Sequence, residues 1–551
     1  MSLSIRTIPF SLILIPSFIL TAYRFPPYDR RSFVWVNLEL HESQVISLEA
    51  KELKGRRKIY TDETKIDYTN VITVLQEALI THTVNAAEIR FLLDYEKGIQ
   101  PILNRKKEVR PEINIKLAEN NAAKITDFKI AYEFGCPITY IQRVKRQVPE
   151  NNPDEDDMRI TALNEMLLEE SKASKDVQLA RYIKICGIGH RMIRAKEHVN
   201  GKSVFDVLTL NPLTTFVVYS NDIHQKPMLA VTYHTRKDGN TIYGCYTNDT
   251  YYEIENGVRI INGIKTKEEW KILNGRGIKN IPSIIPIVEY VNNYDRTGCF
   301  EKVISILDAI NIINSDRVND IAQHVQSLLW LNNAELPEEY EDKIHKFGIL
   351  QTKSTNNVQA NVSYVQNVLN QSEVQTLVDY LQRQAMEIAG VPMRQENSGG
   401  GSTGSAMNLS SGWQMAETMA LNSESIFEQS ERQSIKIMLE IIKRSIDIPE
   451  EYKDLENLSV SDVQIKHGRN KIYDIATKVN AMSTMLKAGI DAKHAIETVS
   501  LFTDPQAVYN DSKDTIAKIQ ATLQHDYKTD KPDRLTADMS DQPEKSPYSN
   551  I

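Results

Sequence analysis

The sequence predicts an α+β chain, mainly helical, with one antiparallel β meander and one long helix. Three observations carry this reading. Apolar residues recur at the helical period through several segments. Beyond Pro212 the texture changes to β-branched and aromatic runs broken by Asn-Asp, Asp-Gly and Asn-Gly turns. After Gly404 the chain runs for about forty residues without a proline. At 551 residues, 41% hydrophobic and 25% charged, the chain is an ordinary globular one, long enough for several cores.

From Tyr68 to Glu96, Val71, Val74, Leu75, Leu79, Ile89, Leu92 and Leu93 mark one or two helices ending near Gly98. Lys116 to Gly135 repeats the pattern and stops at Gly135 and Pro137. The acidic run Val148–Arg159 reads as a solvated loop, after which helices resume through "ITALNEMLLEE" and "DVQLARYIKICGIG". The stretches "LTTFVVYSNDIHQKPMLAVTYHT" and "TIYGCYTNDTYYEIENGVRIING" form the meander, and "IPSIIPIVEY" closes it as an edge or irregular strand, because Pro282 and Pro286 cannot donate to a central ladder.

A helix follows from Phe300 to about Gln326, through Val303, Ile306, Leu307, Ile310, Ile313, Ile321 and Val325. Two short strands, in "SLLWLNNAEL" and "VSYVQNV", flank a charged middle. A second amphipathic helix runs from Ser372 to Ala389. The long helix then extends from about 406 to 446, bent near Gly412 and about 60 Å long. Helices in "KIYDIATKVNAMSTMLKAG" and "DAKHAIETVSLF" meet at Gly489, and the polar tail from Thr522 to Ile551 reads as disordered.

A net charge of −8 argues against tight binding of nucleic acid through phosphate neutralisation. The cysteines Cys136, Cys186, Cys245 and Cys299 lie far apart with no CxxC pair, which suggests free thiols and no zinc site. Ile8 to Leu20 is apolar, too short to span a bilayer, and interrupted by Pro9 and Pro16. It reads as a secretion signal, a buried or peripheral segment, or the product of a start codon placed too far upstream.

Gly399, Gly401 and Gly404 stand at the GxGxxG spacing. A dinucleotide fingerprint needs a strand before the glycines and a helix after them. Here a helix precedes the loop, no ribose-binding acid follows at the expected distance, and Ser405 and Ala406 stand where a Walker A loop needs Lys and Ser/Thr. A flexible helix-to-helix loop is the better reading. No HExxH or partnered nucleophile appears, so no cofactor, metal or catalytic residue is expected.

Several stretches, in unbroken order from Asp67 to Ser512, resemble the portal proteins of tailed bacteriophages, the family from phages with long non-contractile tails that infect Gram-positive bacteria. They are "LLDYEKGIQPILNRKK", "NNAAKITDFKIAYEFGCPITY", "ICGIGHRMI", "LNPLTTFVVYSNDIHQKPMLAVTYH", "IIPIVEYVNNYDRTGCFEKVISILDAINIINSDRVND", "AGVPMRQENSGGGSTGSAM", "HGRNKIYDIATKVNAM" and "LFTDPQAV". His190 stands where an aromatic is commoner in that family.

The resemblance implies a virion protein, assembled in the host cytoplasm as a homo-oligomeric ring, usually of twelve subunits, around a channel for double-stranded DNA at one capsid vertex. It implies an N-terminal extension (1–66), a wing (67–299), a stem helix (300–326), a clip (327–368), a second stem helix (369–390), a tunnel loop (391–405), a long wing helix (406–446), a crown-like helical region (447–521) and a tail (522–551). The tunnel loop would offer Arg394, Gln395, Glu396, Asn397, Ser398, Gly399, Gly400, Gly401, Ser402, Thr403 and Gly404 to passing DNA. Implied partners are the terminase large subunit, the major capsid and scaffolding proteins and a head-completion or adaptor protein, with no membrane. Ile304 and Ile312, beside the main apolar stripe, are expected to need neighbouring subunits for burial. Two other readings stay open: a nucleotide-dependent packaging enzyme using the glycine loop, and a secreted or membrane-attached structural protein resting on Ile8 to Leu20.

Overall fold

The computed structural model describes Leu53 and residues 55–107, 111–143, 158–197, 201–261, 264–280, 282–325, 371–393, 412–445, 448–469 and 475–499, with short stretches between 329 and 364 and between 501 and 518. Ile8–Leu20, Arg394–Gly404 and the tail 522–551 lie outside the described residues.

The first strand, β1 (Ile59–Thr61), falls inside the segment assigned from sequence to an N-terminal extension, yet it pairs in parallel with a strand of the meander. Arg56, just before it, is buried between Glu88 and Glu301. The helix α1 (Val71–Glu96) follows, and its apolar stripe serves two cores. Val71, Val74, Leu75 and Ala78 pack under the meander, while Ile89, Leu92 and Tyr95 pack among helices. Next come α2 (Asn121–Phe134), β2 (Ile138–Gln142), α3 (Met158–Glu169) and α4 (Lys172–Cys186). Asn120 caps α2 by accepting from the Ala123 N–H at 3.3 Å, so this helix starts later than Lys116. Gly187 ends α4 with φ of 79°, and a Cβ there would sit 2.2 Å from the Arg296 carbonyl oxygen. Only glycine fits that crossing.

Beyond Gly187 lie β3 (Ile188–Ala195), β4 (Phe205–Leu210), β5 (Thr215–Ser220), β6 (Pro227–Thr235), β7 (Thr241–Tyr246), β8 (Thr250–Ile261), β9 (Ile264–Ile272), β10 (Ile278–Lys279) and β11 (Ile287–Val291). The meander is a sheet in the order β1-β5-β6-β7-β8-β10, with β9 also on β8. β11 does not close it. It is an edge strand, as Pro282 and Pro286 require, but of a separate sheet ordered β11-β3-β4. The Pro286 carbonyl still accepts from Ile193 at 2.9 Å, so the proline contributes its acceptor where it has no donor.

A 3₁₀ turn at Glu301–Val303 leads into α5 (Ile304–Val325). Between 329 and 364, β12 (Leu329–Asn332) pairs antiparallel with β15 (Asn361–Tyr364), and β13 (Ala334–Glu335) with β14 (Lys353–Ser354), so the two strands expected there are neighbours. The second amphipathic helix is α6 (Gln371–Ala389). Val303, Leu307 and Ile310 share a core with Val378, Ala385 and Met386, while Arg317 reaches Gln371 and Gln375, so α5 and α6 run antiparallel. The long helix is α7 (Trp413–Arg444), 32 residues and about 48 Å. It is shorter than expected because Gly412, with φ of 82°, starts it and does not bend it; 406–411 lie outside the described residues. Then come β16 (Val463–His467), paired with β2, and the helices α8 (Ile475–Lys487) and α9 (Ala492–Val499).

Candidate functional site

Of the expected tunnel loop (391–405), residues 391–393 are described and the rest are not, and the described chain resumes at Gly412. The chain leaves α6 through Gly390, where the Gly390 N–H donates to the Glu387 carbonyl at 2.9 Å and the Val391 N–H to that of Met386 at 2.8 Å. These two bonds form a Schellman end, and Val391 and Met386 belong to the same apolar core. Gly390 has φ of 65°, and a Cβ on it would stand 2.2 Å from Met419 Sδ. From α2, Lys129 donates to the Gly390 carbonyl at 3.2 Å; burial lowers the Lys129 pKa, against the raising effect of Glu133. On the far side, Gly412 faces Pro392, whose Cα lies 3.8 Å from where a Gly412 Cβ would be. Trp413 meets Phe128 and Tyr132 of α2 with ring centroids 5.9 and 5.8 Å apart. Gly390 and Trp413 are therefore both pinned to α2, with Pro392 and Gly412 close to each other. The element feeding the glycines is a helix, which a dinucleotide site does not have.

The helix α5 is held to the rest of the fold by an amide ladder that sequence periodicity does not reveal. Asn311, Ser315 and Asn319 are buried. They face an extended stretch of backbone. Asn319 Oδ1 accepts from the Ile115 N–H at 2.7 Å and its Nδ2 donates back to the Ile115 carbonyl at 3.0 Å. The Leu117 N–H donates to Ser315 Oγ at 3.0 Å, and the Glu119 N–H to Asn311 Oδ1 at 2.8 Å. The match is geometric: four helical residues rise about 6 Å, close to two residues of extended chain at roughly 6.6 Å. Polar side chains at i, i+4 and i+8 thus meet every second backbone amide. Replacing Asn319 by Ala removes both hydrogen bonds to the Ile115 backbone and should cost about 1–3 kcal/mol, roughly 0.5–1.5 for each. Chemical denaturation checks this, and Asn319→Asp, which keeps the acceptor but faces a carbonyl with a carboxylate, should do no better.

A buried ionic network lies in the core that α7 shares with α3, α4, β3 and β11. Arg191 of β3 and Glu431 of α7 are wholly buried and paired at 2.8 Å, and Arg191 also binds Asp176 of α4. Lys172 lies 2.8 Å from Asp176 and 3.1 Å from Glu431. Tyr140 donates to Glu431 at 2.7 Å, Tyr290 donates to it at 2.8 Å, and Tyr290 meets Ser434 at 2.6 Å. Burial alone would raise the Glu431 pKa, but Lys172 and Arg191 outweigh it and hold it down to about 2. Burial likewise would lower Arg191, and the anions and tyrosines around it raise it instead. Perturbed groups of this kind mark active sites when they line a cleft. Here two cations and two anions neutralise one another inside packed side chains, and the network joins α4, β2, β3, β11 and α7. Its role is to fix the long helix. The sequence held a signal for it: Phe427, Glu431, Ser434 and Met438 fall on one helical stripe, so two polar residues occupy core positions.

A pocket of about 390 Å³ is lined by Arg143, Arg432, Val463 and Gln464. Among the described residues no group of His, Cys, Asp and Glu could hold a metal ion, and no helix is long and apolar enough to cross a membrane. The four cysteines are free, with Cys186 and Cys245 buried and the other two half-buried. His190 is fully buried between β11 and β4, opposite Glu289 and Leu210, and neither ring nitrogen has a hydrogen-bond partner.

Ile304 is buried within the single chain, contrary to expectation, because it packs with Val303 and Leu307 against α1 and α6. Ile312 and Ile321 of α5 and Leu377, Tyr380 and Ile388 of α6 remain between 45% and 58% exposed. The helix pair therefore keeps unpartnered apolar surface along its length.

The model of a family described as phage portal protein, SPP1 Gp6-like, matches residues 78–526, most of the chain. No curated protein matches it.

Proposed function

The chain belongs to the SPP1 Gp6-like phage portal protein family, and from that membership we propose that it forms a ring, of twelve subunits, at one vertex of the capsid and encloses the channel through which double-stranded DNA enters and leaves. The match across 78–526 carries this reading. The antiparallel pair α5 and α6, exposing Ile312, Ile321, Leu377, Tyr380 and Ile388, supports a stem whose apolar sides are covered by neighbouring subunits. In this assignment 67–299 is the wing and α7 its strut, 327–368 the clip that meets the terminase large subunit and later the head-completion protein, and 447–521 a crown. Major capsid and scaffolding proteins surround the wing, and assembly takes place in the host cytoplasm. Subunits of net charge −8 give DNA little to grip, so it slides.

The glycine-rich residues Arg394–Gly404 then form the tunnel loop. Glycine permits close approach of backbone to DNA, and Gln395, Asn397, Ser398, Ser402 and Thr403 offer contacts that ignore base sequence. Negative-stain images of the purified chain should show rings with a central hole, and a persistent monomer across concentrations and salts would sink the reading. Replacing Gly399–Gly401 by Val-Pro-Val should leave rings intact while lowering the DNA packaged per head. Rings that form and heads that fill normally with this insert would remove the tunnel-loop assignment but not the ring. ATP turnover by purified rings would instead favour the nucleotide-dependent enzyme.

A further inference from the structure

The long helix α7 is seated in two different ways along its length. From Phe427 onward it is a core helix, with Phe427, Ile435, Met438, Leu439 and Ile442 buried in one apolar cluster. Before Phe427 the buried residues are Ala416 and Ala420, which have little apolar surface to contribute, and Met415 and Leu421 are exposed. Polar contacts hold this first part instead. Arg469, just beyond β16 and 5% exposed, forks between Glu417, at 2.6 Å, and Glu424. Tyr132 of α2 donates to Glu417 at 2.7 Å, and Lys184 of α4 donates to Ser423 at 2.8 Å. The two parts of the helix join at Asn422-Ser423-Glu424-Ser425, where asparagine and two serines disfavour a helix interior and Asn422 and Ser425 are exposed.

The charges around Arg469 do not balance. Glu417 and Glu424 share one guanidinium. Of the neighbouring cations, Lys184 is paired with Glu133 of α2 at 2.6 Å and Lys129 donates to the Gly390 carbonyl, while His467 of β16 is held neutral by burial. Burial, with Glu133 and Glu417, raises the Glu424 pKa to about 7 against the pull of Arg469. The first part of α7 thus rests on a seat with one carboxylate too many and little apolar burial.

We propose that residues 413–424 are a latch: with Arg469 as its catch, this part of α7 is released from α2 as one unit at 422–425 while the rest of the helix stays seated. Release takes Trp413 off Phe128 and Tyr132 and Met419 off Gly390, so whatever moves Arg469 is felt at the end of α6. The latch also senses pH. Once released, Glu424 meets water and ionises at the ordinary carboxylate value of 4.5, so the closed latch holds a proton that the open one gives up. Opening therefore becomes easier as pH rises from 4.5 through 7.

Amide hydrogen exchange of the full chain at pH 6 and pH 8, corrected for intrinsic rates, tests this. Amides 417–424 should exchange roughly tenfold or more faster than those of 427–442, with a step at 422–425. Their exchange should quicken by up to roughly tenfold between pH 6 and pH 8. Glu424→Gln, which stays neutral and keeps an acceptor for Arg469, should remove that pH dependence. Arg469→Gln should speed exchange of 417–424 by roughly tenfold more and leave 427–442 as in the parent. Protection that rises smoothly from Trp413 along the helix is ordinary end fraying and overturns the proposal, and so does equal protection throughout α7. Glu424→Gln with the parent's pH dependence, or Arg469→Gln acting on both parts alike or on neither, overturns it as well. Should circular dichroism show Arg469→Gln unfolded, the parent and Glu424→Gln decide.

Discussion

Replacing Glu431 by alanine should destabilise the subunit by about 3–5 kcal/mol, because Arg191 and Lys172 would be left inside the protein with Asp176 as their only carboxylate. Tyr140 would lose its acceptor in the same step, and Tyr290 would be left with Ser434. The expected readout is a fall in Tm of roughly 3–5 °C at a fixed scan rate. The more discriminating variant replaces both Arg191 and Glu431 by methionine. That removes one charge of each sign and leaves Lys172 and Asp176 paired at 2.8 Å. If charge balance is what the network supplies, the double variant should be more stable than either Arg191→Met or Glu431→Met alone, since well-packed apolar side chains replace buried ion pairs at little cost. A double variant that loses as much as the two single ones together would show that the hydrogen-bond geometry, and not neutrality, is what holds the long helix. The depressed Glu431 pKa also has a pH signature. The stabilisation is complete above the ordinary carboxylate value of 4.5 and is lost as pH falls from there through about 2.

The apolar skeleton of the fold was legible in the sequence, and its polar joints were not. Helical periodicity located α1, α5, α6 and α7 because Val71, Leu75, Ile310, Val378 and Ile435 recur on faces that are buried. The same method weighs only apolar residues, so it passes over the stripe Asn311, Ser315 and Asn319, which binds backbone amides far away in sequence. Strand order failed for a related reason. The prolines around "IPSIIPIVEY" correctly made it an edge, but which sheet it edges depends on β3, almost a hundred residues earlier, and no local signal encodes that pairing. The helix that precedes the glycine-rich residues was legible, and α6 ends at Ala389 as expected. That Gly390 and Trp413 meet on α2, through Lys129 and Phe128, follows only from tertiary packing.

Acid should unfold this subunit through its histidines before it reaches the carboxylates. His82, His190 and His467 are buried neutral, and desolvation lowers each pKa from 6.5 to about 4. His82 is partly compensated, its Nε2 lying 3.1 Å from the Leu213 carbonyl oxygen, but neither nitrogen of His190 or His467 has a partner. Between about pH 6.5 and pH 4 the unfolded chain takes up protons that the folded chain refuses. Stability therefore falls as pH falls through that window and levels off below it, by on the order of 3 kcal/mol for each fully coupled site. Glu424 opposes the trend: burial raises its pKa to about 7, against the lowering pull of Arg469, so its contribution is present at low pH and fades as pH rises through 7. Burial also raises the Glu301 and Asp308 carboxyls, which act in the same sense by less, and the three histidines together keep the net slope at the histidine sign. Replacing His190 by phenylalanine keeps a ring of similar size and removes two unpartnered buried nitrogens. It should raise stability at pH 7.5 by about 1 kcal/mol and reduce the loss in Tm between pH 7 and pH 4.5 by roughly a third, one site of three. Melting curves for the parent and His190→Phe across that range decide it. An unchanged pH slope would mean that the interior around His190 admits a proton when folded, and the acid sensitivity would then have to come from elsewhere.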